Sequence, residues 1–341
     1  MALDPRVDMA VAFGRSLLSW CLDGVPRPFS AAFAVTNRCN LRCSYCNTPF
    51  LDPTDLPLAK VELLLDRLAG FGVKRLGLAG GEPMARKDIG DIVAMAKARR
   101  FYLTMNTNLL LFERHRAGLR DVDLFFTSLD GDREHHEAAR GRGAYDGVLE
   151  AVAQIVGEGR PVVAICVVTE HSIGQMDRLL DVAEAGRFRM HFQPQCTDTA
   201  IVRGGIAREL TTARLQRFWT ELLARKRAGR PVASSVPYLE TLARWDDFSR
   251  TAVLDPEARC AATRGFLYVD PAGHAYPCAY TKGKAPAVDM LGDHWRDALG
   301  RETPCTRCSV GPYLEFNLLY QKPLRTGLSA AASYLARPRT A

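Results

Sequence analysis

Three cysteines stand close together in the run Cys39-Asn40-Leu41-Arg42-Cys43-Ser44-Tyr45-Cys46, so one short loop can offer three thiolates to a single metal centre. Thiolates are soft ligands, suited to zinc and to iron-sulfur clusters. Structural zinc wants four closed ligands, and no histidine or fourth cysteine lies nearby in the sequence. Three cysteine ligands for four irons leave one iron without a protein ligand, and such a cluster is redox-active. A second group, Cys260, Cys278, Cys305 and Cys308, pairs two distant cysteines with a Cys-x2-Cys. Its spacing fits a closed zinc site or a fully ligated 4Fe-4S cluster equally well.

These residues need elements to hold them. Short apolar runs over 32–36, 75–79, 102–105, 124–128, 162–168 and 190–193 read as strands. Between them, 61–68, 89–97, 147–156 and 176–185 show helical periodicity. Strands alternating with helices predict a parallel sheet with right-handed crossovers. The fold class is therefore α/β. Six units are fewer than the eight of a closed barrel, so the expectation is a partial (β/α)6 barrel with functional loops at the C-terminal strand ends. Beyond Pro194 the rhythm changes. Residues 211–228 read as one helix with Thr211 or Thr212 as N-cap, and 266–276 as a hairpin with a Pro/Gly turn.

The order of motifs along this alternation resembles the core of the radical S-adenosylmethionine superfamily. The Cys-x3-Cys-x2-Cys follows the first strand, with the aromatic Tyr45 before its last cysteine. Gly80-Gly81-Glu82-Pro83 ends the second strand, Asn106-Thr107-Asn108 the third and Ser128-Leu129-Asp130-Gly131 the fourth, and Arg140-Gly141-Arg142-Gly143 comes next. The resemblance implies that Cys39, Cys43 and Cys46 hold a 4Fe-4S cluster whose open iron chelates S-adenosylmethionine. It implies cofactor contacts from Tyr45, Gly80, Gly81, Glu82, Pro83, Asn106, Ser128, Asp130 and Arg140. Glycines let backbone approach a ligand closely, and Glu82 would accept from an ammonium. Ser128 would reach the ribose hydroxyls or the carboxylate, and Arg140 would pair with the carboxylate. Reductive cleavage would then yield methionine and a 5'-deoxyadenosyl radical that abstracts hydrogen from an unactivated carbon.

After such a core, the second cysteine group resembles a Twitch-type auxiliary-cluster domain, a shortened relative of the SPASM domain. That favours iron and sulfur over zinc at Cys260, Cys278, Cys305 and Cys308, and it implies one auxiliary 4Fe-4S cluster. The expected organisation is an N-terminal amphipathic extension over 1–30, a barrel over 31–197, a helical linker over 198–254, an auxiliary-cluster domain over 255–312 and a basic amphipathic tail over 313–341.

At 341 residues and 47% hydrophobic, the chain is long enough for these parts to share sizeable cores. Its net charge of +7 fits a solvated basic surface, and no basic strand interleaved with aromatics argues for nucleic acid. No secretory signal or spanning run stands out, which predicts a cytoplasmic protein, and ten cysteines in a reducing compartment point to metal rather than disulfides. Both ends are apolar with basic residues. They are expected to pack on the barrel, with anionic membrane on the inner face as the alternative.

The leading functional expectation is an oxidoreductase or bond-forming enzyme acting on a small metabolite, sugar or lipid, fed by an electron donor such as flavodoxin or ferredoxin. A ribosomal peptide maturase of the same superfamily is the alternative, and a zinc-binding interaction module is the alternative of another class. His191, Gln193 and Cys196, at the sixth strand end, are the candidate substrate-side residues.

Overall fold

The computed structural model describes residues 4–22, 24–196, 202, 210–249, 252–253, 260–301, 303 and 307–330. Helix α1 (Pro5–Leu22) comes first. Six strand-helix units follow, in which β1 (Ser30–Thr36), β2 (Arg75–Gly80), β3 (Tyr102–Asn106), β4 (Leu124–Ser128), β5 (Val162–Val168) and β6 (Arg189–Pro194) lie side by side in sequence order, each pair parallel. The connections carry α2 (Leu58–Gly70), α3 (Ile89–Ala98), the short α4 (Phe112–His115), α5 (Arg133–Arg140), α6 (Ala144–Gly157) and α7 (Met176–Ala185). The partial barrel read from the alternation is therefore present.

Alternation along the strands explains how one sheet serves both a core and a site. Phe33, Val35, Leu76, Leu78, Leu103, Met105, Phe125, Met190 and Phe192 turn to the helices and join one buried cluster with Leu64, Leu65, Ile92, Ile155 and Leu180. Their neighbours Ala79, Asn106, Ser128, Val167 and Gln193 face the other side at the C-terminal strand ends, and none of them is buried. An accessible inner face with small and polar side chains is what a ligand cavity requires.

Helices α8 (Thr212–Arg227) and α9 (Val236–Ala243) come next, and Thr211 caps α8, its Oγ1 accepting from the Arg214 amide at 3.4 Å. Strand β7 (Ala252–Val253) pairs antiparallel with β11 (Arg307–Cys308). The predicted hairpin forms as β8 (Phe266–Val269) and β9 (His274–Tyr276), with β10 (Val288–Asp289) beyond it. Its turn is built as the sequence demands, since Gly273 takes φ +88° and Asp270 Oδ1 accepts from the Ala272 and His274 amides, both at 3.0 Å.

Strand β8 pairs parallel with β1, Ser30 opposite Phe266 and Phe33 opposite Val269, so the hairpin extends the barrel sheet instead of forming its own. Helix α10 (Gly311–Gln321) then lies against both ends of the barrel strands. Phe266 of β8 stacks on Tyr313 and Phe316, with centroids 5.6 and 5.1 Å apart, while a Cβ on Gly311 would stand 2.7 Å from Gln193 Oε1 of β6. Helix α11 (Pro323–Ala330) follows.

The N-terminal extension packs inward. Met9, Ala12, Phe13, Leu17 and Trp20 of α1 join the aromatic cluster of Phe29, Phe266 and Tyr320, and Ser16 Oγ lies 2.6 Å from Tyr320 Oη. Its outer side leaves Val7, Val11, Leu18 and Leu22 exposed. Most of the tail predicted over 313–341 is helix α10 and α11, and its last part lies outside the described residues. Among the described residues no helix is long and apolar enough to cross a membrane.

Candidate cluster and cofactor site

Strand β1 ends at Thr36, and the chain turns at once into the loop of Cys39, Cys43 and Cys46. The glycines of the Gly80-Gly81-Glu82-Pro83 run explain why this loop sits where it does. The Gly81 amide donates to Thr36 O and the Glu82 amide to Arg38 O, both at 2.8 Å, which seats the end of β2 against the root of the cysteine loop. Gly80 takes φ +135°, and a Cβ there would collide with the Thr36 carbonyl oxygen. A Cβ on Gly81 would meet the carbonyl oxygens of Asn37 and Arg38. The close approach that demands glycine is thus between two protein backbones.

Glu82 is fully buried. Its Oε1 accepts from the Met84 amide at 3.0 Å and Thr107 Oγ1 at 2.7 Å, and its Oε2 accepts from the Asn108 amide at 2.7 Å. Burial raises its pKa, and those donors pull against the rise. Glu82 therefore ties β2 to the loop after β3 before any ammonium is considered. Pro83 starts a one-turn 3-10 helix behind it. Asn108, held by this tie, donates from Nδ2 to Asn40 Oδ1 at 2.8 Å and lies 3.9 Å from Cys39 Sγ.

On the opposite flank α5 grips the same loop. The Ser44 amide donates to Ala139 O at 3.0 Å, and the Arg140 guanidinium lies over the Tyr45 ring, 5.5 Å from its centroid. Arg140 Nε donates to Asp130 Oδ2 at 2.6 Å, and Asp130 Oδ1 takes the Val167 amide at 3.3 Å. Burial works against the Arg140 charge, yet Asp130, with Tyr45 and Cys43 close by, holds its pKa well above the usual range. The expected partner of Arg140 was a ligand carboxylate; the chain itself supplies one in Asp130. Ser128 is half-buried and Asn106 exposed, both on the inner face beside this cluster of groups.

Cys39, Cys43 and Cys46 are in no disulfide. Burial pushes the Cys39 thiol up to about 11, helped by Glu82, Cys43 and Cys46, while the Leu41 amide opposes the rise. Burial likewise raises Cys43, against Arg140. Thiols protonated in this setting become ligands when a cation displaces their protons. Three free thiols on one loop fit the open-iron cluster by donor type and by place. Among the described residues no three Cys, His, Asp or Glu side chains converge as a finished metal site.

Of the second group, Cys260 and Cys278 share one apolar cluster with Phe266 and Tyr280. Cys278 and Cys308 both stand near the Tyr313 hydroxyl, and Cys260 near Asn317, so α10 lies beside all three. Cys305 lies outside the described residues. None of the three described cysteines is in a disulfide.

Residues 33–183 match the model of the Radical SAM superfamily. This chain carries a radical SAM domain. The family implies a 4Fe-4S cluster and S-adenosylmethionine. Fe-coproporphyrin III synthase of Methanosarcina barkeri is 31% identical over 157 residues, 44% of this chain and 39% of the relative, so the chain spans about two fifths of that relative's length. The mycofactocin maturase MftC of Mycobacterium ulcerans is 26% identical over 301 residues, 83% of this chain and 77% of the relative. Among solved structures, Streptococcus suis SuiB bound to precursor peptide SuiA shares the fold, with a TM-score of 0.64, 15% identity and coverage of 93% of this chain and 70% of that one.

The sixth strand places its candidates unequally. Gln193 reaches the accessible inner face, and Cys196 is half-buried two residues past the strand. His191 is buried, its Nδ1 3.0 Å from Ser234 Oγ and its ring 5.3 Å from that of Tyr238. Burial, with Lys226 nearby, lowers its pKa to about 4. A base with a depressed folded pKa stabilises fully above its unfolded value of 6.5 and loses that stability as pH falls toward 4. Wild type is expected to lose about 1 kcal/mol more than His191→Asn between pH 7.5 and 5.5. Urea unfolding at the two pH values checks this, and equal losses in both proteins would contradict it.

Proposed function

We propose that this protein is a radical S-adenosylmethionine maturase acting on a peptide. The observation that carries the reading is the likeness to a mycofactocin maturase, which runs through 83% of the chain and so extends beyond the barrel, beside a 31% likeness over 46% of the chain to the PqqA peptide cyclase of Granulibacter bethesdensis, whereas the likeness to the iron-coproporphyrin synthase takes in 44%. A peptide is therefore a better-supported substrate than the small metabolite, sugar or lipid expected at first.

When bound, a reduced 4Fe-4S cluster and S-adenosylmethionine supply a 5'-deoxyadenosyl radical that takes hydrogen from an unactivated carbon. Cys39, Cys43 and Cys46 hold the cluster. Gly80, Gly81, Glu82 and Pro83 fix the floor between β1 and β2, and Ser128 and Arg140 face the cofactor from β4 and α5. Asn106, Phe126, Ile165 and Gln193 line the wall of the inner face, polar at the rim and apolar deeper in, which suits one inserted side chain and keeps water out. Cys260, Cys278, Cys305 and Cys308 hold an auxiliary cluster. A flavodoxin or ferredoxin is the electron source.

Incubating the reconstituted enzyme with S-adenosylmethionine, reductant and a perdeuterated peptide encoded beside its gene tests the substrate class. Deuterium in 5'-deoxyadenosine and a mass change in the peptide are expected. Deuterium arriving only from an iron porphyrin or another small molecule would overturn the peptide reading.

The outer side of α1 sets Val7, Val11, Leu18 and Leu22 beside Arg6 and Arg15, a composition that suits an anionic lipid surface. Co-sedimentation with phosphatidylglycerol vesicles, lost in a Leu18→Glu/Leu22→Glu variant, is the expected outcome. Equal sedimentation of both proteins would contradict it.

A further inference from the structure

We infer that His136 is a positioning residue for the S-adenosylmethionine pocket: it fixes Asp130, Asp130 fixes Arg140, and Arg140 holds the cysteine loop at Tyr45. The inference rests on the reading that this loop binds a cluster and S-adenosylmethionine, and it is independent of what the substrate is.

His136 sits on the inner turn of α5 and is fully buried. Its Nδ1 lies 3.2 Å from the Asp130 amide nitrogen. An amide can only donate, so Nδ1 must be the acceptor and the imidazole proton resides on Nε2. Nε2 is buried and has no hydrogen-bond partner among the described residues. Leaving a buried donor unpaired costs about 1–3 kcal/mol, a cost that an apolar residue of similar size would avoid.

What Nδ1 holds is a residue with three fastened points. The Asp130 amide is held by His136, Oδ1 takes the Val167 amide at the end of β5, and Oδ2 takes Arg140 at 2.6 Å. With the amide free, the carboxylate could turn about the chain and leave Arg140. The Arg140 side chain is only 10% exposed and has its guanidinium over Tyr45, between Cys43 and Cys46. Any drift of Arg140 therefore reaches the loop that carries the thiols. The adjacent His135 offers no such link, because its Nδ1 pairs with Asp132 at 2.7 Å on the outer end of α5.

The test compares His136→Leu, which removes the acceptor, with His136→Asn, whose Oδ1 can replace Nδ1, in the full-length reconstituted protein. Iron content, thermal unfolding, the electron paramagnetic resonance spectrum of the reduced cluster with and without S-adenosylmethionine, and KM and kcat for 5'-deoxyadenosine formation without peptide are measured together. Loss of one such hydrogen bond predicts a KM for S-adenosylmethionine raised about tenfold in His136→Leu, with kcat nearly unchanged, and recovery to within about threefold in His136→Asn. The spectral change on adding S-adenosylmethionine should need correspondingly more of it. Asp130→Asn, which keeps the shape and breaks only the ion pair, should raise KM in the same way, and it decides the matter should His136→Leu fail to fold. Unchanged KM in both His136→Leu and Asp130→Asn overturns the proposal, as does equal damage to iron content and stability in the leucine and asparagine variants. Because no peptide is present, a failure here leaves the peptide reading untouched, and absence of any cleavage by wild type would instead remove the cofactor reading beneath both.

Discussion

Cys43→Ala is expected to lower reductive formation of 5'-deoxyadenosine by more than about 1,000-fold, the loss of over about 4 kcal/mol of transition-state stabilisation. Cys43 is the middle cysteine of the loop and is buried. Two remaining thiolates cannot keep a four-iron cluster with a defined open iron, and no histidine or other cysteine stands near enough in the chain to substitute. The fold should survive, because the loop is also held by Thr36, Arg38 and Ala139 through backbone bonds that the substitution leaves intact. Anaerobic assay of 5'-deoxyadenosine alongside circular dichroism separates the two effects. Activity within tenfold of wild type would remove Cys43 from the cluster.

Glu82→Leu should do the opposite and damage the fold first. Three donors, the Met84 and Asn108 amides and the Thr107 hydroxyl, meet on one fully buried carboxylate. Leucine leaves all of them unpaired at the junction of β2 and the loop after β3. The expected loss is about 3–5 kcal/mol of unfolding free energy. Glu82→Gln keeps one oxygen as an acceptor but sets an NH2 toward the Asn108 amide or the other pair, so it should cost about 2 kcal/mol. Denaturant unfolding measures both. A loss under about 1 kcal/mol in the leucine variant would show that Glu82 does not tie β2 to the loop after β3.

Much of the barrel is legible in the sequence for a simple physical reason. A parallel strand buried beneath helices must be apolar over a short run and a covering helix apolar every third or fourth residue, and both patterns survive in single-chain reading. The strand over 162–168 and the helix over 176–185 are observed at the residues expected. Tight turns are legible too, as at Gly273, where the conformation itself demands the residue.

Long-range pairing leaves no such trace. The hairpin of β8 and β9 was readable, but its parallel docking on β1 joins residues more than two hundred positions apart, and nothing local encodes it. The position of α10 across β6 and β8 is likewise set by tertiary packing of Tyr313, Phe316 and Gly311. At the site, residue types were legible and partners were not. Glu82 and Arg140 stood out as charged groups near glycines, yet the structure pairs them with Thr107 and Asp130. His136 gave no signal, since one histidine on a polar helix looks like any other until its buried Nδ1 is seen against an amide. Asn108 was visible as a polar residue at the end of the third strand, but its place beside Cys39 follows from the Glu82 tie.

Two groups of cysteines are proposed to hold two 4Fe-4S clusters. Anaerobic reconstitution of the full chain with iron and sulfide, followed by metal analysis and reduction in the presence of S-adenosylmethionine, tests it most directly. About eight irons and eight sulfides per chain, with 5'-deoxyadenosine formed on reduction, is the predicted result. Zinc at about one or two per chain, with S-adenosylmethionine left uncleaved, would contradict it.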